Sequence, residues 1–113
     1  MNLNKPDAYF DRENRYLINV DFDGTLTNGE NGWITEPTPN IEHIRIINKL
    51  YRKGFIIIIH TARTWDAAPK TVAWLIRNNV PYHGLFMFKG GSDSYYCDDK
   101  NITWEELKLL SDK

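Results

Sequence analysis

The chain carries the segment RYLINVDFDGTLT at residues 15–27. Its first part, residues 15–20, is rich in apolar and β-branched side chains that suit a pleated, buried surface, which predicts a strand. Asp21 and Asp23 follow directly, and Gly24 permits a tight turn after them. A buried strand that ends in two carboxylates and a turn predicts a polar site at the carboxyl end of a sheet.

Strand-like and helical patterns alternate along the rest of the chain. In order they predict a strand at 15–20, a helix at 39–53, a strand at 55–59, a helix at 67–78, strands at 85–88 and 95–97, and a last helix opened by a capping box at 103–106. At the start of the first helix, Thr38 is the predicted cap and Pro39 the first helical residue.

This order predicts the α/β class, as a three-layer, Rossmann-like sheet of about four or five mostly parallel strands with helices on both faces. The 113 residues fit a single domain. Within it, residues 1–14 are an expected extended lead-in. Residues 27–40 are an expected loop.

Composition narrows the class of protein. With 42% hydrophobic and 26% charged residues, the chain is typical of globular domains rather than disordered ones. The longest apolar run, 55–59, is far shorter than the roughly 20 residues that span a bilayer. No signal-peptide pattern is visible, and the single cysteine fits a reducing compartment. We therefore expect a cytoplasmic protein with no membrane partner.

The net charge of −1 hides a segregation along the chain. Residues 1–44 carry three basic and eight acidic side chains, residues 45–77 carry seven and one, and residues 78–113 carry four and six. Acidic ends around a basic middle are consistent with a cation site facing an anion site, or simply with solvated helix faces.

Polar side chains follow every predicted strand, and such strand ends meet at one edge of a parallel sheet. Asp21 and Asp23 end the first strand, and Asp98 and Asp99 end the fourth. Clustered carboxylates repel one another, and a hard cation such as Mg²⁺ relieves that repulsion. The alternative is that these aspartates only cap helices or turns.

Thr61 and Lys89 follow the second and third strands, where they offer a hydroxyl and a positive charge to an anionic oxygen. The alternatives are that Thr61 only caps a helix and that Lys89 is an ordinary surface lysine.

Four short motifs of the chain resemble those of haloacid dehalogenase-like (HAD) phosphatases, in the same order. They are the DFDGT segment at 21–25, Thr61, Lys89 and the Asp98–Asp99 pair. A weaker likeness is to small HAD proteins found near capsule-sugar genes and in phages, and to the phosphatase half of polynucleotide kinase–phosphatases.

The resemblance implies a Mg²⁺-dependent phosphomonoester hydrolase that acts through a phosphoaspartate. Asp21 would be the nucleophile, and Asp23 would protonate the leaving oxygen and later activate water. Thr61 and Lys89 would bind phosphoryl oxygens and stabilise transition-state charge.

The resemblance also implies a ligand set for the metal ion. Asp21 would contribute its carboxylate, Asp23 its backbone carbonyl, and Asp98 a second carboxylate. Asp99 would act through water or by orienting Lys89. Metal coordination keeps Asp21 ionised and leaves the side chain of Asp23 available for a proton.

Many relatives carry a cap domain, whereas residues 27–40 are only a loop here. The resemblance therefore implies an open crevice, closed by self-association as a homo-oligomer or by a large substrate. Trp33 either stacks on that substrate or packs over the sheet edge. Ala62 and Arg63 are candidate substrate-binding residues, with a structural ion pair as the alternative for Arg63.

The expected partner is a phosphorylated small molecule or a nucleic-acid end. Two alternatives to a general phosphatase remain open: a 3′-phosphatase acting on nucleic-acid ends, and a non-catalytic module that binds a phosphorylated ligand. No long basic stripe exists outside 45–77, so we expect weak non-specific duplex binding.

Overall fold

The computed structural model describes residues 16–29, 36–88 and 102–113. Its elements are, in chain order, β1 (Leu17–Asp21), α1 (Ile41–Arg52), β2 (Ile56–His60), a short 3-10 helix (Trp65–Ala67), α2 (Ala68–Arg77), β3 (Gly84–Phe86) and α3 (Trp104–Asp112). The six elements predicted within these ranges are confirmed, with ends that shift by a residue or two. The strand predicted at 95–97 lies outside the described residues.

The strands form a parallel sheet in the order β1-β2-β3. In its register Asp21 lies beside His60, and His60 lies beside Phe86, so the three strands end side by side. This confirms the α/β class. Over the described ranges the sheet has three strands, and a larger strand number remains a prediction.

The core lies on one face of this sheet. Alternate strand residues pack there against both helices, in a buried cluster that includes Ile18, Val20, Ile57 and Ile59 from the strands, Ile47 and Leu50 from α1, and Trp74 and Leu75 from α2. On the other face, Leu17 is 53% exposed and Ile58 is half-buried. Both crossover helices therefore cover the same face, and a helical layer on the opposite face remains a prediction.

The start of α1 differs from the prediction. Asn40, not Thr38, caps the helix, because its side chain accepts the His43 backbone N–H at 3.1 Å. Pro39 lies outside the helix and pairs with Thr27 in an isolated antiparallel bridge. The expected loop at 27–40 is therefore closed at its base, where the Asn28 N–H also donates to the Thr38 carbonyl at 3.0 Å.

Helix α3 begins with the predicted capping box, in which the side chains of Thr103 and Glu106 each accept the other's backbone N–H. It packs on α1, and its end is joined to α1 by Lys49 Nζ, 2.9 Å from Asp112 Oδ1. This hydrogen bond from Lys49 lowers the pKa of the Asp112 carboxyl. Among the described residues, no helix combines the length and the apolarity needed to cross a membrane.

Trp74 joins α2 to the segment that precedes α1. Its side chain is fully buried, and its indole N–H donates to the Pro37 carbonyl at 2.8 Å. We expect Trp74→Phe to lower the free energy of unfolding by about 1–3 kcal/mol, because it leaves that carbonyl buried without its donor. Urea unfolding measures the change. Trp65→Phe, at a 64% exposed position, is the control, and equal losses in the two variants would contradict the prediction.

Candidate functional site

A tight turn follows β1 and carries both aspartates of the predicted first motif. The Phe22 carbonyl accepts the backbone N–H groups of Thr25, Leu26 and Thr27 at 2.9–3.2 Å. Gly24 has a φ of +74°, a conformation that favours glycine. The buried Thr27 hydroxyl accepts the Gly24 N–H at 3.0 Å, so the turn is closed on itself. This geometry gives the two carboxylates a rigid base.

Asp21 is the last residue of β1 and is partly buried. The Thr25 hydroxyl donates to its Oδ2 at 3.3 Å. Its neighbour across the sheet, His60, stacks on Phe86 and is bonded through Nε2 to Asn19 Oδ1 at 2.7 Å. The carboxylate of Asp21 therefore lies at the strand edge with one oxygen held by its own turn.

Asp23 has different partners. Arg63 donates from Nε to Asp23 Oδ2 at 3.0 Å and from Nη2 to Oδ1, a two-pronged pairing of guanidinium and carboxylate. The Thr61 hydroxyl lies 3.5 Å from Asp23 Oδ2. The side chain of Asp23 is still 46% exposed, so it is held in place and reachable from solvent.

Arg63 was predicted to bind a substrate anion or to form an ion pair, and the structure shows the ion pair. Its side chain is only 9% exposed. The guanidinium carbon lies 5.4 Å from the centroid of the Phe22 ring, and that ring meets Trp74 edge to face at 5.1 Å. The core thus supports the cation that holds Asp23.

Thr61 follows β2, as predicted, but its side chain is fully buried. Its backbone N–H donates to the Phe86 carbonyl at 2.9 Å, and its hydroxyl accepts the Arg63 backbone N–H at 3.1 Å. The hydroxyl therefore contacts Arg63 and Asp23. Contact with a phosphoryl oxygen remains a prediction.

Two backbone donors lie among these side chains. Across the described residues, the N–H groups of Asp23 and Ala62 have no hydrogen-bond acceptor, and both residues are exposed. They follow the neighbouring strands β1 and β2. Open N–H groups beside a strand edge are suited to an anionic oxygen, which supports Ala62 as a candidate substrate-binding residue.

The donor set also fits a hard cation in part. Within the described ranges, the Asp23 carbonyl accepts no hydrogen bond, whereas the Phe22 carbonyl before it accepts three. Together with the Asp21 carboxylate it offers the oxygen ligands that Mg²⁺ prefers. The other predicted site residues, Trp33, Lys89, Asp98 and Asp99, lie outside the described residues.

Two residues that hold Asp21, one directly and one through its neighbour, were not predicted from the sequence. Thr25 belongs to the quoted motif, and its hydroxyl bonds Asp21. His43 contacts the Thr25 carbonyl through Nδ1 at 2.7 Å, across 18 residues of sequence. A threonine four residues after an aspartate in a turn is a local signal for the first contact. The second has no local signal.

The fold resembles a solved structure. It matches the crystal structure of an MCSG target from Vibrio cholerae with a TM-score of 0.65 and 24% sequence identity, over 86% of this chain and 97% of that one. At this identity the likeness shows the fold alone. No protein-family model matches the chain, and no curated protein matches it either.

Proposed function

We propose that the chain is a Mg²⁺-dependent phosphomonoester hydrolase in which Asp21 forms a phosphoaspartate. The observation that carries the proposal is that two carboxylates lie at one strand edge and differ in their exposure to solvent. Asp21 is the partly buried last residue of β1, whereas the side chain of Asp23 is 46% exposed and is held by Arg63. Two carboxylates in unlike environments at one strand edge suit two different roles in one reaction.

In the first step, a carboxylate oxygen of Asp21 attacks phosphorus, and the bond from phosphorus to the leaving oxygen breaks. The carboxylic acid of Asp23 gives its proton to that oxygen, so the product leaves as an alcohol. The open N–H groups of Asp23 and Ala62 are suited to the phosphoryl oxygens, whose charge grows as the bonds change.

In the second step, the Asp23 carboxylate takes a proton from water, and the water oxygen attacks phosphorus. The bond from phosphorus to the Asp21 oxygen breaks, which releases inorganic phosphate and restores both side chains. The exposed position of Asp23 fits this role, because water reaches it directly.

The residues that would hold Mg²⁺ are Asp21, through its carboxylate, and Asp23, through its open carbonyl, with Asp98 as a further expected ligand. When bound, Mg²⁺ neutralises charge on the phosphoryl oxygens and on Asp21. The side chain of Asp23 stays outside this ligand set, which leaves its carboxyl group for proton transfer.

The proposal is tested with p-nitrophenyl phosphate and the purified chain. We expect Mg²⁺-dependent release of nitrophenolate, a fall of at least about tenfold in excess chelator, and recovery when Mg²⁺ is added back. Undiminished hydrolysis in chelator would refute the metal requirement. Binding of inorganic phosphate with no turnover would favour the non-catalytic module.

A further inference from the structure

His43 connects the first turn of α1 to the turn that carries Asp21. It is the third residue of α1, and the residue is half-buried. Its Nδ1 lies 2.7 Å from the Thr25 carbonyl oxygen. A carbonyl oxygen only accepts, so Nδ1 carries the hydrogen and donates it.

The ring of His43 is also fixed on one of its faces. Trp104, the first residue of α3, stacks on it with ring centroids 3.9 Å apart and ring planes 5° from parallel. The capping box fixes the start of α3 where Trp104 lies. A hydrogen bond and a stacked ring together set both the position and the tilt of the imidazole.

Thr25 transmits this constraint to Asp21. Its backbone N–H donates to the Phe22 carbonyl at 3.2 Å, and its carbonyl accepts from His43, so peptide groups on both sides of its Cα are held. Its hydroxyl then donates to Asp21 Oδ2 at 3.3 Å. One residue therefore separates the His43 ring from the proposed nucleophile.

We infer that His43 is a positioning residue for Asp21, an inference that rests on the proposed function. The bond from His43 holds the Thr25 peptide, and the Thr25 hydroxyl then keeps Oδ2 of Asp21 occupied. The side chain of Asp21 is thereby held in one orientation. Because attack on phosphorus needs a near-linear approach, a small rotation of Asp21 slows it strongly.

Two variants separate this role from simple packing. In His43→Asn the amide nitrogen lies as many bonds from Cα as Nδ1 and keeps the donor, whereas in His43→Gln it lies one bond further out. We expect His43→Gln to lower kcat/KM for p-nitrophenyl phosphate by about tenfold, and His43→Asn to stay within about threefold of the unmodified chain. Inhibition by inorganic phosphate, which reports binding without attack, should change by less than about twofold in both.

Arg45→Gln, on the exposed face of α1, is the matched control and should keep full activity. Unchanged kcat/KM in His43→Gln would overturn the inference. Equal losses in His43→Asn and His43→Gln, accompanied by equal falls in Tm, would also overturn it, because they indicate packing alone. Failure of the proposed function would look different, since the unmodified chain would then release no nitrophenolate.

Discussion

Replacing Asp21 with asparagine is expected to lower phosphatase turnover by at least about 10³-fold. The two side chains have nearly the same shape, so the Thr25 hydroxyl retains an oxygen to bond. The carboxamide, however, lacks the charge and the nucleophilic oxygen that attack on phosphorus requires. The loss should be the same for every phosphomonoester, because the first step needs the Asp21 nucleophile whatever the leaving group is.

Two measurements check this expectation. Steady-state release of nitrophenolate gives the rate, and intact-mass spectrometry of acid-quenched protein detects the phosphoaspartate. We expect the phosphorylated species in the unmodified chain and its loss in Asp21→Asn. Asp66→Asn, at an exposed aspartate outside the candidate site, is the control and should behave as the unmodified chain does. Phosphorylation that persists in Asp21→Asn would assign the nucleophile to another residue.

Most of the described fold follows from local patterns. The apolar run at 55–59 is short and bounded by a glycine and a polar residue, and it forms most of β2 at Ile56–His60. The capping box at 103–106 opens α3 because its two hydrogen bonds join residues only three apart. Such features are decided within a few residues of sequence, which is why sequence predicts them well.

The start of α1 shows where local patterns are insufficient. Thr38 and Asn40 are both good helix caps, and Pro39 is a favourable first helical residue. The choice falls to Asn40 because Pro39 pairs with Thr27, twelve residues earlier in the chain. This pairing keeps the preceding backbone extended. A contact of that separation leaves no trace in the local sequence.

The candidate site could likewise be predicted from the sequence only in part. Parallel strands end at the same edge of a sheet. The sequence therefore predicts that Asp21, Asp23 and Thr61 lie at neighbouring strand ends, as they do. Sequence alone left open whether Arg63 contacts an anion of the substrate or an acid of its own chain. The answer required the distance from Arg63 Nε to Asp23 Oδ2, a contact across 40 residues.

The pairing of Arg63 with Asp23 leads to the second large expected effect. Asp23→Asn should lower kcat/KM for an alkyl phosphate by about 10²–10⁴-fold, because an alkoxide leaves poorly without a proton. For p-nitrophenyl phosphate the loss should be about tenfold or less, since nitrophenolate is stable as an anion. Rates measured across phosphate esters of graded leaving-group acidity give the difference. Asp21→Asn is the comparison, because its loss of rate should not depend on the leaving group.

Arg63→Lys tests whether the guanidinium aims the Asp23 carboxyl. Lysine keeps the positive charge but loses the planar fork that holds both oxygens of Asp23. We expect a loss of about tenfold on the alkyl phosphate, with little change on p-nitrophenyl phosphate. In the double variant with Asp23→Asn, the lysine substitution should add almost nothing, because the two residues act as one unit. Full additivity, or equal losses on both esters, would mean that Arg63 affects the rate by a route other than Asp23.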